Sequence, residues 1–214
     1  MKVLVTGTSS GIGKEIAKLF LERGHEVVGF DIKESTITHY NYTHYVCDIS
    51  KCLPEVENVQ ILINNAGIQD DDLAIKINLE STINVTEKYG INSNIKSILF
   101  IASASARNGA EFPKYSASKG GVVSYMKNVA LRVSKFSATA NSISPGGVIT
   151  KVNDHILNDK KLYDAVLNET LLNKWCDPRE IAEWAYFITV INKSMTGEDI
   201  LIDNGEILKS NFIW

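Results

Sequence analysis

The sequence predicts an α/β chain built on a doubly wound parallel sheet, and three observations carry that prediction. Short apolar runs alternate with helical patterns along the chain. The first apolar run leads straight into a glycine-rich turn and an amphipathic helix. The second run closes on an acidic residue, Asp31.

Each element has its own signal. Val3–Val5, Glu26–Phe30, Gln60–Ile63 and Ser97–Ile101 read as short strands buried on both faces. Ile12, Ile16, Leu19 and Phe20 fall at helical spacing, and Arg23-Gly24 supplies a stop. Ser118 to Phe136 reads as a longer helical segment and Glu180 to Ile191 as another. Gly197 to Asp203 reads as a last strand. Asp31 to Ile61 departs from this rhythm. It holds little helical periodicity, and Ile37 to Tyr45 is polar and aromatic, with His39, Tyr40, Tyr42, His44 and Tyr45. Crossover elements there are expected to be shortened or replaced by loops. No repeat, linker or charge run divides the chain, so residues 1–214 are read as one domain.

Composition narrows the function classes. Of 214 residues, 44% are hydrophobic and 22% charged, with net charge −3, the balance of a soluble globular protein able to bury a sizeable core. Lys and Arg are scattered rather than striped, so no nucleic-acid partner is expected. Cys47, Cys52 and Cys176 match no metal or redox spacing, and the four histidines form no zinc pair. Free thiols and no metal site are expected. The longest apolar run, Ala185 to Ile191, is too short to cross a bilayer, and the N-terminus opens on a strand without a signal-peptide pattern. A cytoplasmic location without membrane contact is the expectation.

Thr6-Gly7-Thr8-Ser9-Ser10-Gly11-Ile12-Gly13 lies between the first strand and first helix. Glycines there permit a tight turn and close approach of backbone to a pyrophosphate, and the helix N-terminus presents N–H groups and a positive dipole end. The spacing is Gly-x-x-x-Gly-x-Gly. Asp31 follows Gly13 by 18 residues, close to the ~20 expected of a ribose-binding acid. A carboxylate there accepts from both ribose hydroxyls and repels a 2′-phosphate, by about 4 kcal/mol at ~4 Å and an effective dielectric of ~20. Ser10 supplies no counter-charge, so NAD(H) is favoured over NADP(H), with Lys33 the one nearby cation able to swing towards a phosphate.

These residues resemble the short-chain dehydrogenase/reductase family, whose fold is of the Rossmann type, and the match runs in register over nearly the whole chain. Thr6-Gly7-x-x-x-Gly11-x-Gly13 matches the glycine motif. Cys47-Asp48-Ile49 looks like the adenine-contacting segment, and Asn64-Asn65-Ala66-Gly67 like the one that steadies the sheet beside the adenosine. Asn78 matches a helix-borne active-site Asn, and Tyr115-x-x-x-Lys119 the catalytic pair. Asn141 to Thr150 looks like the nicotinamide-side loop. Pro178 to Ala182 and Thr196 to Gly205 resemble the C-terminal segment. The resemblance implies cofactor contacts from Gly7, Ser9, Ser10, Gly11, Ile12 and Gly13. It adds Asp31, Asp48, Ile49, Asn65, Ala66 and Gly67 on the adenosine side. Pro145, Gly146, Val148, Thr150, Tyr115 and Lys119 follow on the nicotinamide side. Three departures stand out: the chain is short, with the shortage in Asp31–Ile61; Asn204 stands where a second C-terminal glycine is usual; and the loop before Tyr115 is one residue shorter than usual, which leaves two serines in view.

The chemistry expected is hydride transfer between NAD(H) and a carbonyl or alcohol substrate. Tyr115 is the candidate general acid and base. A free tyrosine has a pKa of ~10, and an ammonium nearby favours the phenolate. Lys119, four residues on, shares its helix face. Ser103, 12 residues before Tyr115, is taken as the hydroxyl that holds the substrate oxygen, with Ser105 as the other candidate. The resemblance gives Asn78 a water linking Lys119 to solvent. Pro145-Gly146-Gly147 is expected to pass close to the nicotinamide, with Val148 and Ile149 packed near it.

Substrate choice is expected in residues 148–177, where Leu, Tyr and Trp form either a lid or helix core, and in Ala104–Lys114. Arg107 is read as a solvated loop residue. By analogy, a homodimer or homotetramer would pair the helices near Asn78–Lys88 and Ser118–Phe136. The alternatives are an NAD(H)-binding sensor or scaffold on the same fold without turnover, and an epimerase or dehydratase; the retained Tyr, Lys and Ser fit dehydrogenation better.

Overall fold

The computed structural model describes residues 1–110 and 112–209. Seven strands form one parallel sheet: β1 (Lys2–Thr6), β2 (Glu26–Asp31), β3 (Tyr42–Val46), β4 (Ile61–Asn64), β5 (Ser97–Ile101), β6 (Thr139–Pro145) and β7 (Asp199–Ile202). Their order is β3-β2-β1-β4-β5-β6-β7, and every neighbouring pair is parallel. The winding reverses between β1 and β4. In open parallel sheets ligands bind in the crevice outside the carboxyl ends of the strands at such a reversal.

The sheet is sandwiched because its central strands are apolar on both faces. Successive side chains alternate in direction, so Val3, Val5, Ile61, Ile63, Leu99 and Ile101 enter one buried layer. There they meet Ile16 and Phe20 of α1 (Gly11–Glu22) and Ile181 of α7 (Pro178–Tyr186). Leu4, Leu62, Ile98 and Phe100 enter the opposite layer, against α2 (Ser81–Tyr89) and α4 (Pro113–Val133). Each such side chain contributes about 1.5–3 kcal/mol on burial. Short helices α3 (Ser105–Asn108), α5 (Asp154–Leu157) and α6 (Lys160–Leu167) complete the set.

The predicted strands agree with the observed ones to within a residue or two. Two helices begin earlier than their periodicity indicates. α4 starts at Pro113 rather than Ser118, because Pro113 takes the first helical position, where a missing N–H costs nothing. α7 starts at Pro178, behind a capping box made by Asp177 and Glu180, and passes at Phe187–Ile191 into a π-helical turn. Among the described residues, 32–41 and 47–60 carry no helix, so the expected shortening of the crossovers is observed. On α4, one of the helices that a homo-oligomer would pair, the exposed large apolar residues are limited to Leu131. A larger stripe, Trp184, Phe187 and Ile191, lies along α7 and its π turn. No helix among the described residues is long and apolar enough to cross a membrane.

His25, at the start of the second strand, is buried against the edges of Phe20 and Tyr186. Its Nδ1 meets no hydrogen-bond partner among the described residues. Burial, and secondarily the N-terminal ammonium, lowers its pKa. Below an unfolded value of ~6.5 the unfolded chain therefore binds the extra proton. Stability is expected to be complete above that pH and to fall as pH drops through the lowered folded value. Urea unfolding at pH 7.5 and 5.0 measures this: His25→Leu should flatten the difference, and an unchanged slope would remove His25 as its cause.

Candidate active site

The glycine turn joins β1 to α1 at the winding reversal. Gly7 and Gly11 adopt φ of +78° and +55°, values that favour glycine. At Gly13 a Cβ would fall 2.1 Å from the Gly7 carbonyl oxygen, so the helix meets the turn only if that side chain is absent. Asn65, at the end of β4, clamps the turn. Its Nδ2 donates to the carbonyls of Thr6 (2.9 Å) and Gly7 (3.2 Å). Thr6 Oγ1 in turn accepts from the backbone N–H groups of Asn65 and Ala66. Ser10 stands at the N-cap of α1 without a side-chain capping bond, and the first turn holds no acidic residue. The first-turn N–H groups and the positive dipole end thus suit a phosphate. The Thr150 methyl lies 3.4 Å from where a Gly11 Cβ would be, so the loop after β6 reaches the glycine turn.

Asp31 ends β2 beside that turn. Its Oδ2 accepts from the Ser9 N–H and its Oδ1 from the Lys33 N–H, both at 2.9 Å. The carboxylate is therefore held beside the glycine turn. Asp48 follows β3. Ser50 bonds its Oδ1 through backbone and hydroxyl, and Lys51 lies 3.0 Å from Oδ2. The Ser50 hydroxyl foremost, then Lys51, bring its pKa down to about 2. Asp48 thus organises its own turn. The Ile49 side chain is buried in the core with Phe30 and Val59, and that of Ile12 packs, partly buried, against the opposite layer. The Cys47 thiol beside Asp48 is pushed up to about 11, chiefly by burial.

The catalytic candidates lie on α4, in the π-helical stretch after β4 and just past the carboxyl end of β5. Tyr115 and Lys119 lie one turn apart on α4, both buried, with the Lys119 Nζ 5.8 Å from the centre of the Tyr115 ring. Lys119 Nζ donates to the Ile101 carbonyl at the end of β5 (2.9 Å), which fixes the lysine two residues before Ser103. Ser103 and Ser105 are both buried, and Ser103 Oγ accepts from the N–H (3.2 Å) and hydroxyl (3.0 Å) of Ser105. Asn78 sits in a π-helical stretch, Ile75–Glu80, a local widening often found at functional sites. Its amide bonds both backbone groups of Ile68, and its Nδ2 also donates to Ser118 Oγ. The side chain expected to hold a water therefore ties the loop after β4 to α4. A Cβ on Gly67 would come within 3.1 Å of Asn78 Oδ1 and 3.3 Å of Lys119 Nζ. Gly67, Asn78 and Lys119 thus converge on one spot.

One contributor was not legible in the sequence. The N-cap residue of α4, Phe112, has no capping side chain. Asp71 supplies the acceptor from 43 residues away, its Oδ1 taking the N–H of Lys114 (2.7 Å) and of Tyr115 (3.1 Å). No local pattern announces a cap imported across the fold. Asp71→Ala is expected to cost about 1 kcal/mol of stability by urea unfolding, with Asp71→Asn keeping most of it. Equal midpoints for the alanine variant and the parent would deny the cap any weight.

The loop after β6 carries Gly146 and Gly147. A Cβ on Gly146 would meet Asp203 and Glu206 at 2.8 Å, and one on Gly147 would meet the Trp175 indole at 2.2 Å. These glycines admit the chain's own side chains. Val148 is in the core and pairs with Cys176, while Ile149 is exposed. Within 148–177, Val152, Leu162 on α6, and Leu171 and Leu172 in the turn beyond it are exposed, whereas Leu157, Tyr163 and Leu167 are half-buried and Trp175 is buried. Tyr163 packs edge-on to Trp175. Arg107 is not simply solvated: its guanidinium bonds the carboxylate and backbone carbonyl of Asp199.

Known proteins resemble this chain in sequence and fold. A family model described as Enoyl-(Acyl carrier protein) reductase matches residues 7–206. The chain is 28% identical over 238 aligned residues to the 3-oxoacyl-(acyl-carrier-protein) reductase FabG of Rickettsia prowazekii, covering 96% of each protein. It is 29% identical over 239 residues to the same-named protein of Vibrio cholerae, covering 94% of this chain and 95% of that one. A short chain dehydrogenase family protein from Francisella tularensis superposes with a TM-score of 0.85 at 26% identity, covering 97% of this chain and 99% of the other. A 4-hydroxyisoleucine dehydrogenase complexed with NADH superposes with a TM-score of 0.86 at 25% identity, covering 98% and 99%. With its parallel sheet, its glycine turn at the winding reversal and these relatives, the chain belongs to the short-chain dehydrogenase/reductase family of hydride-transferring oxidoreductases.

Proposed function

We propose that this chain transfers a hydride between NAD(H) and a small carbonyl or alcohol substrate, with Tyr115 as general acid and base. The observation that supports the reading is buried Tyr115 and Lys119 one turn apart on α4, with Lys119 Nζ bonded to the Ile101 carbonyl at the carboxyl end of β5, two residues before buried Ser103. When bound, the nicotinamide supplies or accepts the hydride. The residues fit such a group: the α1 N-terminus suits the pyrophosphate, Asp31 the adenosine ribose, and Thr150 closes over the turn.

In the reducing direction Tyr115 donates its phenolic proton to the substrate oxygen. The Lys119 ammonium favours the phenolate that remains and so lowers the cost of that transfer. Both lone pairs of Ser103 Oγ are engaged by Ser105, so the Ser103 O–H donates outward, to the oxygen where charge develops. Ser105 then orients Ser103. Ser103→Ala is expected to lower kcat by roughly 100-fold and Ser105→Ala by roughly 10-fold, and a larger loss for Ser105→Ala would exchange the two roles.

The residue at the ribose decides the cofactor: a 2′-phosphate would face the Asp31 carboxylate, whereas the ribose hydroxyls of NAD(H) would bond to it. Residues 148–177 form the substrate segment of a single catalytic unit, and self-association into a dimer or tetramer belongs to the same reading. The FabG relatives are named for reduction of 3-oxoacyl groups, which makes a 3-oxoacyl thioester the first probe. NADH oxidation at 340 nm with acetoacetyl-coenzyme A, and NAD⁺ reduction with a panel of secondary alcohols, test the proposal. Turnover with any member that Tyr115→Phe abolishes supports it. Tight NADH binding without turnover on any substrate class would replace it with the sensor reading.

A further inference from the structure

The chain lacks a crossover helix between β2 and β3, yet the residues around Asp31 are pinned by a closed set of hydrogen bonds. Tyr42 and His44 lie two residues apart on β3 and so share one face of the strand. Gly29 on β2 makes room for them: a Cβ there would lie 2.2 Å from the Tyr42 hydroxyl and 2.5 Å from Thr8 Oγ1. The Tyr42 hydroxyl lies 2.9 Å from both Thr8 Oγ1 and His44 Nδ1. His44 Nε2 lies 2.9 Å from the Lys33 carbonyl. A carbonyl only accepts, so Nε2 carries the hydrogen and donates. The same carbonyl accepts from Ser9 Oγ (2.9 Å). Lys33 N–H and Ser9 N–H then hold the two oxygens of Asp31. The ring therefore links the glycine turn (Thr8, Ser9), the ribose-side acid and its neighbour (Asp31, Lys33), and the edge strand (Tyr42, His44).

We propose that Tyr42 and His44 are positioning residues for the adenosine end of the dinucleotide, doing in this shortened chain what a crossover element would otherwise do. They act through Lys33, whose backbone they fix, and so through Asp31. Two consequences follow from the geometry. Releasing the Lys33 carbonyl loosens the carboxylate that bonds the ribose. It also frees the exposed Lys33 ammonium to approach a 2′-phosphate, so discrimination against NADPH falls along with affinity for NADH. The inference rests on the dinucleotide-binding reading above.

The test is a set of fluorescence and calorimetric titrations of the full chain with NADH, NADPH, ADP-ribose and nicotinamide mononucleotide. His44→Phe and Tyr42→Phe should each weaken NADH and ADP-ribose by about 5-fold, the worth of one net hydrogen bond. The NADH-to-NADPH preference should shrink, and nicotinamide mononucleotide binding should stay unchanged. His44→Gln, whose amide N–H reaches for the same carbonyl, should restore most of the loss. Wild-type binding of NADH with unaltered ADP-ribose affinity in both phenylalanine variants would overturn the positioning role alone. So would equal weakening of nicotinamide mononucleotide, which marks general damage. A wild-type chain that binds neither dinucleotide would overturn the dinucleotide reading itself, and this role with it.

Discussion

Tyr115→Phe is expected to lower kcat by about 1,000-fold while leaving the Kd for NADH within about twofold. The substitution removes one oxygen from a buried ring and nothing from the packing of α4. What is lost is the proton that the substrate oxygen must receive, and general acid catalysis contributes typically 10²–10⁴-fold. The Lys119 ammonium 5.8 Å from the ring has no phenolate left to favour, so the lysine's electrostatic effect vanishes with the hydroxyl. Steady-state kinetics with the best substrate of the thioester and alcohol panels, paired with an NADH titration, separates the two quantities. Retained turnover would move the acid role to another group. Joint loss of binding and turnover would mean that the hydroxyl supports the fold of the site instead.

Asp31→Asn is expected to shift the ratio of NADPH to NADH affinity by about 100-fold in favour of NADPH. Asparagine keeps one acceptor oxygen, so it accepts from the Ser9 or the Lys33 N–H but not from both. The larger change is the loss of the charge. A carboxylate at ~4 Å from a phosphate opposes it by up to about 4 kcal/mol at an effective dielectric of ~20, and partial exposure of Asp31 brings this nearer 2–3 kcal/mol. Competition titrations with both dinucleotides at fixed ionic strength read the ratio. An unmoved ratio would place cofactor choice elsewhere, with Lys33 the next candidate.

Much of this site is legible in the sequence because its parts are local. The glycine turn lies between one strand and one helix, and Tyr115 and Lys119 are separated by a single helical turn. Their chemistry follows from residue type and spacing. The strands of the central sheet are legible for a related reason: Leu4, Leu62 and Ile98 are flanked by residues that bury on the opposite face, and no solvated alternative suits such runs. What could not be read depends on residues far apart in sequence. Asp71 caps α4 across 43 residues, so the helix appears from periodicity to begin at Ser118, past its true start. Asn78 is committed to Ile68 and Ser118 by a π-helical turn that no 3.6-residue pattern announces. Gly146 and Gly147 make room for Asp203, Glu206 and Trp175, partners up to 60 residues away. The polar aromatic run near Tyr42 and His44 breaks helical periodicity and shows that something replaces the crossover. That the replacement is a hydrogen-bond ring through Thr8 and Lys33 emerges only from the fold.

The most direct test of the account is isothermal titration of the purified chain with NADH and, separately, with NADPH, before any substrate is known. The account predicts one site per chain for NADH, with NADPH at least 10-fold weaker. Tighter binding of NADPH would contradict the role given to Asp31, and binding of neither would contradict the proposal that this crevice holds a dinucleotide at all.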